Sequence, residues 1–390
     1  MAYDYPNKYL WDIPRVWNID SQLVPMRLRI QDMARPGKVD FDAIIDSPYG
    51  EQMVSTMKPY ILYEDEMDSE LLKYYESIGL KKELYESGDI YTKWSCYTPL
   101  SMYELQNKDR LYPLLFVLHG GSMPIHWEES TGFLPIAGRE EMIVVSPQNH
   151  NESNIMRILD IVKSKYPVDE SRIYSSGYSQ GGRKTNEVSL RHPEIFAAVG
   201  PCGMYLYPED YYISPSDTEN VRSYDLPVII ICGQEESLEM FPVNENSILG
   251  DESFGPDRHS MSYGKDPTRD EQRPRIRHRK VEDKVDLLQK RLYSMRCRDV
   301  SLQECIACRG SDNEVERNLG FPCDETEIKT VLGVRHFVGD FFNDEGENTL
   351  RFISVEGQPH WPIATMPELV WDFMKRFRRD PVTKELIISE

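Results

Sequence analysis

The stretch from Ile173 to Gly182, Ile-Tyr-Ser-Ser-Gly-Tyr-Ser-Gln-Gly-Gly, constrains this chain more than any other. A β-branched and aromatic run, Arg172 to Ser175, leads into Gly-x-Ser-x-Gly centred on Ser179, and a helix-compatible stretch follows from Arg183 to Arg191. Strand, sharp turn and helix in that order form a nucleophile elbow. A serine on so sharp a turn holds an unfavourable backbone angle. Gly177 and Gly181 remove the side chains that would strike the neighbouring strand and helix.

Two further segments give the elbow a context. Upstream, Tyr112-Pro-Leu-Leu-Phe-Val-Leu-His-Gly-Gly121 is a buried-strand run ending in His-Gly-Gly. Downstream, His360 lies in a loop just past a strand-like run, Leu350 to Val355. Anion cradle, nucleophile and base then follow one another along the chain.

The rest of the pattern is α/β. Ile90 to Tyr97, Leu114 to Leu118, Met142 to Ser146, Phe196 to Val199 and Pro227 to Cys232 read as strands. Ile155 to Lys165 has helical periodicity, with Ile155, Ile158, Leu159 and Val162 on one face. Strands alternating with helices imply a largely parallel sheet. Residues 1–88 read as an N-terminal extension, with a helix from Asp68 to Ser77 capped by Asp68 and ended by Gly79. Residues 89–237 read as the first part of the core. Residues 238–330, polar and charged with an arginine-rich run from Arg269 to Arg298, read as an inserted cap or lid. Within it, Asp283 to Met295 is an amphipathic helix with Val285, Leu288, Leu292 and Met295 on one face. The core resumes over 331–390, with Phe337 to Phe342 and a last helix from Met366 to Arg378.

A serine hydroxyl needs a base within hydrogen-bond reach. Of the later histidines, His259 and His278 fall in the charged insertion and His336 begins a strand. His360, in Gly-Gln-Pro-His-Trp-Pro, can reach over the sheet edge and is the expected base. The orienting acid should follow the strand ending at Cys232, where Gly-Gln-Glu-Glu stands; Glu236 is favoured and Glu235 is its alternative, with Asp340 or Asp344 as acids from elsewhere. The tetrahedral oxyanion calls for backbone donors: the N–H of Gln180, and a second from the His-Gly-Gly loop, at Gly121 or Gly120. His119 itself reads as a structural loop residue.

These pieces resemble the α/β-hydrolase superfamily of serine esterases, in the poly(3-hydroxybutyrate) depolymerase and feruloyl-esterase-like branch. Five segments carry the resemblance: Pro113 to Gly121, Val144-Val-Ser-Pro-Gln148, Val168 to Gly182, Phe196-Ala-Ala-Val-Gly-Pro201 and His360-Trp-Pro362. It implies an α/β-hydrolase fold, a mostly parallel central sheet flanked by helices, carrying here an N-terminal extension and a helical lid. It also implies Ser179 as nucleophile, His360 as base and an acid two or three residues past the Gly233 turn. Relatives usually carry Asp where Glu236 stands here. The expected activity is serine carboxylesterase action on small acyl or aryl esters through an acyl-enzyme. A serine peptidase or amidase on the same scaffold is the nearest rival, and a non-catalytic binding protein of the same fold is the rival of another class.

No cofactor is expected. Cys305-Ile-Ala-Cys308 has zinc-knuckle spacing but no matching second pair, so Cys297, Cys305, Cys308 and Cys323 read as unpaired thiols rather than metal ligands. Cys96, Cys202 and Cys232 lie in apolar contexts and read as buried free thiols. The net charge of −20, from 45 basic and 65 acidic residues, argues against nucleic acid or an anionic membrane as partner. No apolar run approaches a membrane span, and Met-Ala-Tyr-Asp-Tyr-Pro-Asn-Lys lacks a basic n-region and an apolar h-region, so a cytoplasmic protein is expected. A homo-oligomer is compatible with these features.

Overall fold

A computed structural model describes residues 67–86, 93–120, 125, 131–203, 215–234, 281–358 and 364–389, with Pro48 and Gln52 as isolated positions. In chain order the elements are α1 (Ser69–Ser77), β1 (Leu80–Tyr85), β2 (Trp94–Pro99), β3 (Tyr112–Leu118), α2 (Phe133–Glu140), β4 (Ile143–Pro147), α3 (Glu152–Lys165), β5 (Val168–Tyr178), α4 (Gln180–Arg191), β6 (Ala198–Cys202), α5 (Pro215–Tyr224) and β7 (Val228–Gly233). After these come α6 (Val281–Ser294), α7 (Leu302–Ala307), α8 (Glu314–Leu319), β8 (Glu325–Val331), β9 (Val334–Phe342), β10 (Asn348–Val355), α9 (Met366–Met374), β11 (Phe377–Arg379) and β12 (Leu386–Ile388).

Ten strands form one sheet in the order β1-β2-β4-β3-β5-β6-β7-β10-β9-β8. β4, β3, β5, β6, β7 and β10 run parallel, while β2 is antiparallel to both of its neighbours. Leaving aside the β9–β8 hairpin on the far edge, eight strands in this order with only the second reversed make the α/β-hydrolase sheet.

Both faces of the sheet are buried, which explains why β3 and β7 read as unbroken apolar runs. Side chains alternate across the sheet. Leu114, Phe116 and Leu118 of β3 and Val228 and Ile230 of β7 meet α3, α4, α6 and α8 on one face. Leu115, Val117, Ile229 and Ile231 meet α1, α2 and α9 on the other. Each such Leu, Ile or Phe contributes about 1.5–3 kcal/mol of burial. Pro113 has no N–H to give the ladder, and the β3–β5 register shifts between Tyr112 and Leu114.

The structure moves several expected boundaries. β1 lies inside the expected N-terminal extension, yet it pairs along its whole length with β2. α1 packs beside it through Leu71 and Tyr75. Its cap is as read: Asp68 accepts from the N–H of Glu70 and Leu71, at 2.8 and 3.4 Å. Gly79 leaves the helix at φ +83°.

The described part of the expected insertion belongs to the framework. Leu288, Leu292, Val315 and Leu319 of α6 and α8 are buried in the same core as β3 and β7, and β8 extends the sheet through β9. Residues 238–280 lie outside the described residues. The last helix ends at Met374 rather than near Arg378, because Phe377–Arg379 pairs with β12. The buried Arg379 guanidinium draws the chain out of helix by donating to the carbonyls of Phe196, Tyr224 and Lys384 at 2.7–2.8 Å.

Candidate active site

Ser179 sits between β5 and α4 at φ +56°, ψ −119°, a conformation that L-residues rarely adopt. Main-chain hydrogen bonds hold it there. Its N–H donates to Cys202 O at 3.0 Å on β6, and its carbonyl accepts from Arg183 N at 2.9 Å. The glycines on either side are close-approach positions. A Cβ on Gly177 would lie 2.6 Å from Leu118 O, and one on Gly181 only 1.8 Å from the same oxygen. Backbone therefore packs on backbone where β3, β5 and α4 meet, and that contact fixes Ser179 beside the end of β3. Gln180 opens α4. Amides in a helix's first turn lack partners inside the helix and carry the positive end of its dipole, which suits them to a developing oxyanion.

The other chain exits converge on the same sheet edge. Leu118 is level with Gly177 across β3–β5, Tyr178 with Cys202 across β5–β6, and Val355 with Gly233 across β7–β10. The elbow, the loop beginning His119-Gly120, the turn after Gly233 and the loop after Val355 thus leave from neighbouring strand ends. That edge is where open parallel α/β sheets place their sites.

Gly120 is the second residue after β3. His119 is buried, with Nδ1 2.8 Å from Gly120 O and Nε2 3.0 Å from Gln148 O and 3.3 Å from Gln148 Nε2. Burial pushes this ring below its ordinary pKa, so it is neutral with a single N–H. With that proton on Nδ1, it donates to Gly120 O, and Nε2 accepts from the Gln148 amide. Gln148 Oε1 in turn accepts from Ile125 N at 3.1 Å. His119 thus pins the start of the loop, consistent with a structural role. The His150 ring lies against it, with centroids 3.9 Å apart and planes tilted by 57°. Its pKa is driven well down by burial and by the adjacent His119 ring. Its Nε2 finds no hydrogen-bond partner among the described residues.

Of the expected site residues, the structure describes Ser179, Gln180 and Gly120. Gly121, Glu235, Glu236 and His360 lie outside the described residues, as do His259 and His278. The alternative acids lie elsewhere. Asp340 makes a two-pronged ion pair with Arg351 at 2.7 and 2.8 Å. Asp340 pairs with Arg351 across β9–β10, four residues before Val355 at the strand end, and Asp344 meets Arg296. His336 is buried with both ring nitrogens engaged, Nδ1 with Val334 O at 2.9 Å and Nε2 with Thr365 Oγ1 at 2.7 Å. It is a structural histidine.

Sequence reasoning missed Gln234, the residue after β7. Its N–H donates to Val355 O at 2.9 Å. Its Oε1 accepts from Gly357 N at 3.0 Å, and its Nε2 donates to Asn318 Oδ1 at 2.5 Å. No motif announces such a residue; only its place between two strand ends does.

All seven cysteines are free. Burial pushes Cys96, Cys202, Cys297, Cys305 and Cys308 up to about 12 and holds Cys323 well above its ordinary value, so these thiols resist ionisation. Among the described residues, no group of three or more His, Cys, Asp or Glu side chains is placed to hold a metal ion. No helix among them is long and apolar enough to cross a membrane.

No family model matches the chain. Among curated proteins it is similar to poly(3-hydroxyalkanoate) depolymerase C of Paucimonas lemoignei, 24% identical over 111 residues, which is 23% of this chain and 27% of that protein. It is also similar to the bifunctional acetylxylan esterase/xylanase XynS20E of Neocallimastix patriciarum, 29% identical over 103 residues, 23% of this chain and 15% of that protein. The matches thus span about a quarter or less of these relatives' length. Solved structures with likeness include a fluorophosphonate-binding serine hydrolase of Staphylococcus aureus, 17% identical with a TM-score of 0.34 over 40% of this chain and 78% of that one. A ferulic acid esterase is 20% identical, with a TM-score of 0.32 over 40% and 78%.

Proposed function

We propose that this chain is a serine carboxylesterase acting on small acyl or aryl esters. The observation that carries the reading is the strained Ser179 at the tip of a β5–α4 elbow, on the strand-end edge from which the other three site loops depart. The likeness to a depolymerase and an acetylxylan esterase supports ester chemistry.

In this mechanism Ser179 Oγ attacks the ester carbonyl carbon while His360 takes the hydroxyl proton. Glu236, with Glu235 as the alternative, orients the imidazole and stabilises its cation. The oxyanion is met by the N–H of Gln180 and by a second donor from the His-Gly-Gly loop. That donor is Gly121 or Gly120. The tetrahedral adduct collapses, the C–O bond to the alcohol breaks, and the alcohol leaves with the proton from His360. Water then gives a proton to His360 and attacks the acyl-serine; Ser179 departs reprotonated and the acid is released.

Hydrolysis of p-nitrophenyl acetate and of its matched anilide tests the reading. The expected result is turnover of the ester well above the anilide, abolished in Ser179→Ala. Full ester turnover in Ser179→Ala contradicts it, and a preference for the anilide shifts the assignment to amidase.

A further inference from the structure

We infer that Gln234 is a positioning residue that sets the acid-bearing turn against the base-bearing loop, with Asn318 of α8 holding it in place. This rests on the catalytic reading above for the roles of His360 and of Glu236 or Glu235. The geometry itself comes from described atoms alone.

Gln234 directly precedes both candidate acids and spans to the loop that leads to His360. One backbone bond, Gln234 N to Val355 O, continues the β7–β10 ladder by one residue. One side-chain bond reaches further, with Oε1 accepting from Gly357 N. A parallel ladder ends where its strands end, and the Gln234 side chain carries the pairing one step further into the loop after β10. The amide then needs its own orientation fixed, because Oε1 must face Gly357 while Nε2 faces away. Asn318 does this. It is 2% exposed, its Oδ1 accepts from Gln234 Nε2, and its own Nδ2 is tied to Glu314 O at 2.9 Å. With Nδ2 turned to Glu314 O, Asn318 presents Oδ1 to Gln234 Nε2, and that pairing leaves Gln234 Oε1 facing Gly357.

A second line runs from the same helix to the same loop. Glu314 of α8 accepts from Arg335 Nη1 at 2.8 Å, and Arg335 Nε donates to Glu356 at 3.0 and 3.1 Å. Glu356 N in turn donates to Arg335 O at 2.9 Å. Consecutive residues Glu356 and Gly357, just before His360, are therefore both referred back to α8. That helix, six residues long, is buried against the sheet through Val315 and Leu319. In a low-dielectric setting, small errors in the distance between carboxylate and imidazole are felt strongly.

The test compares wild type with Gln234→Leu, Gln234→Glu and Asn318→Ala. Turnover is measured on p-nitrophenyl acetate across pH. The His360 ring is titrated by NMR in protein carrying 13Cε1-histidine and assigned with His360→Gln. Gln234→Leu is expected to lower kcat about 10- to 100-fold with KM within about twofold. It is also expected to move the acid limb and the His360 titration to lower pH, because a more distant carboxylate stabilises the imidazolium less. Gln234→Glu retains an acceptor for Gly357 N–H but loses the donor to Asn318 Oδ1, and Asn318→Ala loses the same bond from the other side, so both are expected to fall between wild type and Gln234→Leu. A purely structural amide would lower thermal stability and leave the His360 titration where it was. Folded Gln234→Leu with wild-type kcat and wild-type His360 titration overturns the proposal. Wild type without turnover or fluorophosphonate labelling overturns the catalytic reading instead, and the His360 titration still decides whether Gln234 sets that loop.

Discussion

The two halves of the site are built from different materials. At the elbow, main chain packs on main chain: Gly181 lies so close to Leu118 O that no side chain fits between them, and Ser179 is held by backbone bonds on both sides. Across the sheet, the turn after β7 and the loop after β10 are joined by side-chain amides and an arginine. The first arrangement tolerates no change of atoms but asks nothing of distant residues. The second tolerates conservative change and depends on a helix that the sequence assigns to an insertion. Under the proposed roles, a strained nucleophile calls for the stiffest support available, whereas an acid and a base borne on separate loops call for adjustable links.

Substitutions break this contrast in graded steps. Gly181→Ala should have the largest effect. Its Cβ meets backbone, so β3 or α4 must shift; we expect activity to fall at least about 100-fold and stability to fall by about 1–3 kcal/mol. Turnover and denaturant unfolding measured on the same sample check both. Near-normal turnover would mean that the elbow is softer than its contacts indicate. Gln234→Leu comes next, with the losses given above.

The buried histidines sharpen the contrast through pH. His119 and His150 lie on the elbow side and His336 beside the β10 loop, and burial lowers all three from an ordinary value of 6.5. Above about pH 6.5 both folded and unfolded chains hold these rings neutral. Below it the unfolded chain takes up protons that the folded chain refuses, so stability should fall by up to about 1.4 kcal/mol per pH unit for each ring. Denaturant midpoints between pH 8 and pH 5 should be flat and then decline. His150→Phe should make the decline shallower, since it also removes a buried nitrogen with no described partner. An unchanged slope would place the acid sensitivity elsewhere.

The smallest effect on activity is expected for Asp340→Asn. It loosens the ion pair to Arg351 in the middle of β10, so stability should drop by about 1–3 kcal/mol while kcat/KM stays within about twofold. A large loss of kcat would return Asp340 to consideration as the acid.

These differences also explain what could be read from the residues. The elbow was legible because backbone contact excludes every residue but glycine, leaving a fixed pattern around Ser179. The central strands were legible because burial on both faces gives unbroken apolar runs such as Tyr112–Leu118. β1 was not, because Leu-Lys-Lys-Glu-Leu-Tyr at the sheet's edge sets three charged residues between its leucines and so lacks a strand's alternation. Nor was the framework role of α6 and α8, whose apolar faces would suit a lid equally well. Gln234 left no trace at all: an amide bridging two loops has no spacing rule, and its meaning appears only once β7 and β10 lie side by side.

The central claim is that Ser179 is an activated nucleophile. Intact-mass analysis after treatment with a fluorophosphonate tests it most directly, comparing wild type, Ser179→Ala and His360→Ala. The account predicts one adduct on the wild type, mapped to Ser179, none on Ser179→Ala, and labelling slowed at least about 100-fold in His360→Ala. A folded wild type that takes up no probe, or an adduct that persists in Ser179→Ala, would contradict it.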